Sequence, residues 1–105
     1  MATWRIEEYG DFLAEFLRSL TTPLRARAVA LIARLRDKGN ELGMPHSRPL
    51  GHGLHELRDV PSGARMFYVF RPDRRVVFLG GIVKKRGDIP TAVLTLMRAR
   101  GKEAP

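Results

Sequence analysis

Cations and imidazoles stand in this chain at spacings that suit work on a phosphate. Arg58 and Arg65 are parted by a short connection, Lys84, Lys85 and Arg86 form an unbroken basic run, and His52 and His55 lie three residues apart. Guanidinium and ammonium groups bind phosphate oxygens and stabilise the added negative charge of a phosphorane-like transition state. Imidazole titrates near neutrality and can move a proton, and His52 and His55 are better placed for this than His46. His52 and His55 make a poor metal pair, since the chain has no cysteine and no obvious third ligand. No metal or other cofactor is expected. Structural alternatives stay open: Arg58 shares a strand face with Glu56 and can pair with it, Arg65 can cover a sheet edge, and residues 84–86 can form a solvated turn.

Elements of regular structure must carry these groups. Trp4 and Ile6 suggest a first strand over residues 3–6. Asp11 can cap a helix whose apolar stripe is Phe12, Leu13, Phe16, Leu17 and Leu20. Thr22 as N-cap, Pro23 in the first helical position and Gly39 as left-handed C-cap bound a second helix, which buries Leu24, Ala28, Leu31, Ile32 and Leu35. Its alanines at 26, 30 and 33 read as helix formers on a solvated face. Residues 39–53 hold four glycines and two prolines without periodicity and read as a loop. Strands follow over 54–58, 65–70 and 76–83, with a turn at 71–74, and a last helix over 90–100 buries Val93, Leu94 and Met97. The fold class is α+β: an antiparallel sheet with two N-terminal helices on one face and a short C-terminal helix, in the order βααβββα. The second face of the sheet is left partly open.

Length and composition agree with one domain over residues 1–105. At 44% hydrophobic and 29% charged residues the chain is composed like a folded protein and unlike a disordered one. No apolar run is long enough to span a membrane. The acidic first twenty residues do not fit a basic-then-apolar leader, so the protein is expected to begin at or near Met1. Absence of cysteine fits a reducing compartment. The net charge of +8 divides into −2 over residues 1–20, +4 over 21–58 and +6 over 59–105. Such a field suits a phosphate backbone through counterion release and steering, although solubility alone can account for it.

One family combines these features. Gly53-Leu54-His55-Glu56-Leu57-Arg58, then Arg65-Met66-Phe67-Tyr68, then a hydrophobic strand ending in Lys84-Lys85, and Pro90 opening a last helix, together resemble the RelE/ParE toxin superfamily in its HigB-like, phage-associated branch. The resemblance runs from the first strand to about residue 100. It implies a cytoplasmic toxin of a type II toxin–antitoxin system, a metal-independent endoribonuclease cleaving mRNA on the ribosome. Its partners would be ribosome, mRNA and an antitoxin, of helix-turn-helix type, with no membrane involved. Arg65, Arg58 and Lys84 match the family's basic catalytic positions, Arg65 foremost. His55 is a further catalytic candidate, standing where an aromatic such as tyrosine is expected, and Lys85, Arg86, Arg48 and His52 are RNA-binding candidates. Residues 101–105 lack the functional tyrosine with which the family's nucleases often finish. Two alternatives remain: a toxin that inhibits DNA gyrase without cleaving anything, and a non-toxic basic nucleic-acid-binding module. Stacking platforms would favour the module, but Phe67, Tyr68, Phe70 and Phe78 are also needed for the core.

Overall fold

Apolar stripes on two amphipathic helices must be covered, and a sheet of strands rich in Val, Ile, Leu and Phe supplies the cover. In the computed structural model, which describes residues 3–105, β1 (Arg5–Glu8) precedes helices α1 (Phe12–Ser19) and α2 (Thr22–Lys38). A 3₁₀ turn at Gly39–Glu41 leads on to β2 (Ser47–Gly51), β3 (Leu54–Asp59), β4 (Ala64–Arg71), β5 (Arg75–Val83) and helix α3 (Thr91–Glu103). The expected start at Met1 lies outside the described residues. The strands form one five-stranded sheet in the order β1-β5-β4-β3-β2. β1 runs parallel to β5, and the other pairs are antiparallel.

The α+β class and the helix pair hold, and four details differ. The sheet is mixed rather than wholly antiparallel, because β1 pairs parallel with β5. β2 occupies part of the stretch read as loop. It is an edge strand with Pro49 in it and a register shift between Pro49 and Gly51, so its sequence shows neither alternation nor β-formers. β1 begins two residues later than expected. The N-cap of α2 is Thr21, with extended backbone angles, rather than Thr22.

Each sheet face has its own core. On one, Leu13, Phe16, Leu20, Ala28 and Leu35 from the first two helices pack on Leu57, Met66, Tyr68, Val76 and Phe78. On the other, Met97 and Ala104 join Leu54, Phe67, Val69, Val77 and Leu79, with Ile89 from the connection before α3. Arginines fasten α3: Arg71 Nη2 donates to the carbonyls of Gly101 at 2.5 Å and Ala104 at 3.2 Å, and Arg100 Nη1 to that of Leu79 at 2.9 Å. Phe67, Tyr68 and Phe78 are buried and Phe70 half-buried, so the strand aromatics serve packing.

Gly39 has no room for a side chain. It has φ of +55°, and an added Cβ would stand 1.9 Å from Trp4 Nε1, because the indole fills the corner where α2 ends. Left-handed strain and overpacking each cost about 1–3 kcal/mol, so Gly39→Ala is expected to lose roughly 2–4 kcal/mol of stability. Urea unfolding measures this; a midpoint equal to wild type would mean that the Trp4 ring is not fixed against the helix end.

Candidate functional site

Strand alternation gathers the basic residues of the middle of the chain around one acid. Leu54, Glu56 and Arg58 share a face of β3, and Arg65, Phe67, Val69 and Arg71 share the same face of β4. The register sets Arg58 opposite Arg65, and Glu56 between Phe67 on one side and Arg48 on the other. This is the face on which α3 packs, since Leu54, Phe67 and Val69 belong to the core with Met97. The arginine row lies one step along the strands from that core.

Glu56 is fully buried, at 0% exposure. Its Oε2 accepts from Arg48 Nη2 at 2.6 Å and Nε at 3.0 Å. Its Oε1 faces Arg65 Nε at 3.0 Å and Arg58 Nε at 3.6 Å. Neither of these last contacts has hydrogen-bond geometry, so Oε1 and both Nε atoms are buried without a hydrogen-bond partner. Their attraction is coulombic. Other atoms of the same guanidiniums are held by backbone: Arg65 Nη1 donates to Ala64 O at 2.9 Å and Asp59 O at 3.2 Å, and Arg58 Nη1 to Pro45 O at 3.5 Å.

Three guanidiniums against one carboxylate leave a surplus of two positive charges in a mostly dry cluster. Its only strongly solvated side chain is that of Arg48, at 40% exposure, against 15% for Arg58 and 4% for Arg65. Burial lowers the Arg65 guanidinium from its ordinary value, Glu56 opposes this, and Arg58 and Arg48 add to it. Arginine nevertheless stays charged at any physiological pH. Of the three side chains only that of Arg48 reaches solvent to a large extent, and guanidinium is a group whose fork matches phosphate.

The remaining candidates are placed elsewhere. Lys84 follows β5; its N–H donates to Gly63 O at 2.8 Å and its ammonium to Gly87 O at 2.5 Å. Gly63 is required there, with φ of +83° and room for a Cβ only 1.9 Å from the Lys84 carbonyl oxygen. Lys85 and Arg86 are exposed on the same connection. His55 neighbours Glu56 and therefore points to the opposite face, where it stacks on Tyr68 at 5.4 Å and meets Phe70 edge-on at 5.0 Å. The structure does not bring it to the arginines. His52 has φ of +54° in the turn between β2 and β3 and borders a separate cleft against α3. Among the described residues no three His, Asp or Glu side chains group as metal ligands would.

Two features escaped the sequence. Arg65, which the sequence allows to cover a sheet edge, lies on a central strand at 3% exposure, and its removal should cost a few kcal/mol by leaving buried acceptors unpaired. Glu56 was visible only as a neighbour for Arg58. Its closest partner is Arg48, on the strand whose sequence does not look like one.

A family model for "Phage derived protein Gp49-like (DUF891)" matches residues 15–102. No curated protein matches the chain in sequence. Among solved structures, the isolated RelE toxin of Escherichia coli is similar with a TM-score of 0.62 at 10% identity, covering 88% of this chain and 96% of that one. A chain of the RelBE2 toxin–antitoxin complex of Mycobacterium tuberculosis gives 0.61 at 17% identity, covering 80% and 94%. A chain of the archaeal RelE–RelB complex of Pyrococcus horikoshii gives 0.59 at 15% identity, covering 83% and 100%. The fold is thus that of RelE.

Burial lowers the His55 imidazole below its ordinary value of 6.5. The unfolded chain then binds a proton before the native one does, so stability falls as pH falls from about 6.5 through the lowered native value. Above about 6.5 the residue contributes no slope. Urea unfolding of wild type and His55→Phe between about pH 7.5 and 5.5 should show a steeper loss in wild type; equal slopes would mean that the imidazole is solvated in the native state.

Proposed function

Because the chain belongs to the Gp49-like family of phage-derived proteins, and its fold is that of RelE, we propose that it is the toxin of a toxin–antitoxin pair. In this reading it is of the HigB-like branch and acts in the cytoplasm as a metal-independent endoribonuclease on ribosome-bound mRNA. The observation that carries the reading is the cluster of Arg48, Arg58 and Arg65 around Glu56, two positive charges in excess, with Arg48 reaching solvent.

The reaction is attack of an mRNA 2′-hydroxyl on the adjacent phosphorus. The new O–P bond forms as the bond to the 5′-oxygen breaks; water takes the proton of the 2′-hydroxyl and supplies one to the leaving oxygen. Arg65 and Arg58 stabilise the charge of the five-coordinate phosphorus, and Arg48, nearer solvent, meets the phosphate backbone. Lys84, Lys85 and Arg86 add an exposed basic loop for RNA, and His52 a further contact. Positioning of the 2′-hydroxyl is left to the ribosome and proton transfer to water, because the cluster has no free acid or base: both oxygens of Glu56 face arginines and His55 lies on the other face. The same lack favours a second reading, inhibition of gyrase without cleavage. A +8 protein of this kind needs a covering antitoxin, of helix-turn-helix type, for its host to survive.

Purified protein is incubated with mRNA alone, with programmed ribosomes, and with gyrase and DNA. The reading expects cleavage on ribosomes only, lowered about 10²–10³-fold in Arg65→Ala and little restored in Arg65→Lys, with a melting curve for each variant to separate chemistry from folding. Equal cleavage of free and translated mRNA contradicts ribosome dependence. Intact mRNA with gyrase-linked DNA breaks supports the second reading.

A further inference from the structure

Met66 and Met97 are core residues, at 0% and 3% exposure, whereas Met44 is 62% exposed. Its thioether has a partner: Arg58 Nη1 donates to Met44 Sδ at 3.3 Å, and to Pro45 O at 3.5 Å. The loop that carries Met44 is pinned on both sides. His46 N and Ser47 N donate to Gly43 O at 3.0 and 3.1 Å, Ser47 Oγ donates to Leu42 O at 2.7 Å, and Arg58 N donates to His46 O at 2.7 Å. The backbone around Met44 is therefore fixed against β3, and the exposed sulfur meets a member of the arginine cluster from a set position.

A thioether is a weak acceptor. Oxidation by hydrogen peroxide breaks the O–O bond, places one oxygen on sulfur and releases the other as water, with two electrons passing from sulfur to the peroxide. The product is a polar sulfoxide. Its oxygen is a strong acceptor within reach of the same Nη1. Little opposes it, because Arg58 is the loosest of the three partners of Glu56: its Nε lies 3.6 Å from Oε1 and makes no hydrogen bond. Arg48 and Arg65 approach the carboxylate to 2.6 and 3.0 Å and can keep it matched without Arg58.

We propose that Met44 is a reversible oxidation site whose sulfoxide takes hold of Arg58 and draws it away from the shared carboxylate. Only the consequence for cleavage rests on the nuclease reading above: with Arg58 held by the loop, the oxidised protein cleaves more slowly. Methionine sulfoxide reductases, each acting on one sulfoxide epimer, restore the thioether.

The test treats the full chain, isotope-labelled at arginine side chains, with dilute hydrogen peroxide and follows oxidation by peptide mass mapping. Met44 should gain one oxygen at least about tenfold faster than Met66 and Met97. The Arg58 Nε signal should then shift, and that of Arg65 should move less. Met44→Gln, whose amide oxygen imitates the sulfoxide, should show the Arg58 shift without peroxide, and Met44→Leu should show none with it. On programmed ribosomes the oxidised protein should cleave about tenfold more slowly, as a new bond to a charged group implies, and recover after treatment with both reductases. Met44→Leu should cleave like untreated wild type before and after peroxide. Oxidation of Met44 no faster than that of Met66, or full oxidation that leaves the Arg58 signal in place, overturns the site. Undiminished cleavage by fully oxidised protein, or a loss of cleavage that a melting curve traces to unfolding, overturns its control of activity. Reduced protein that cleaves nothing removes the nuclease reading alone, and the Arg58 signal then decides the oxidation site by itself.

Discussion

A carboxylate with no access to solvent must be matched by charge, and here Glu56 is matched three times over. Removing a carboxylate from water costs several kcal/mol even after relaxation, and only close cations offset that. Arg48, Arg58 and Arg65 do so from three strands, at 2.6 to 3.6 Å. Each depends on a different part of the fold. Arg48 needs the edge strand in register, Arg58 needs the Pro45 carbonyl, and Arg65 needs the turn that offers the carbonyls of Asp59 and Ala64. Asp59 is in turn held from α2 by Arg27 at 2.9 Å. The acid thus connects sheet, turn and helix, and it leaves the cluster with two positive charges in excess.

The same arrangement changes how the net charge is understood. Much of the basic excess of the second half fastens backbone. Arg71, Arg98 and Arg100 tie α3 to the sheet, and Arg75 donates to Glu7 at 2.8 Å and to the Pro105 carbonyl at 3.0 Å. The side chains left for a polyanion are fewer: the outer part of the arginine cluster and the basic loop after β5. A phosphate-binding reading rests on those groups rather than on the total of +8.

Helices and central strands were legible because their periodicities are local: the stripe of α1, the Pro23 and Gly39 boundaries of α2, and the alternation of β3 to β5 need no knowledge of partners. β2 was not legible, since Pro49 and two neighbouring glycines are tolerated only because the strand is an edge, which is a property of the assembled sheet. For the site, parity along β3 placed Glu56 and Arg58 together. It also implied that His55 turns away, which the resemblance to a family with a catalytic side chain there obscured. The burial of Arg65 was hidden because it comes from the strands paired on both sides and from Glu56 and the carbonyls of Asp59 and Ala64, whereas the residue type alone suggests exposure.

The central claim is that Glu56 and the arginines act as one unit. A double-mutant cycle of Glu56→Gln and Arg65→Ala in urea unfolding addresses it most directly. The account predicts a coupling energy of about 1.5 kcal/mol or more, each single substitution costing far more than it does in the presence of the other. Additivity within about 0.5 kcal/mol would contradict it, leaving Glu56 and Arg65 as neighbours without a shared task.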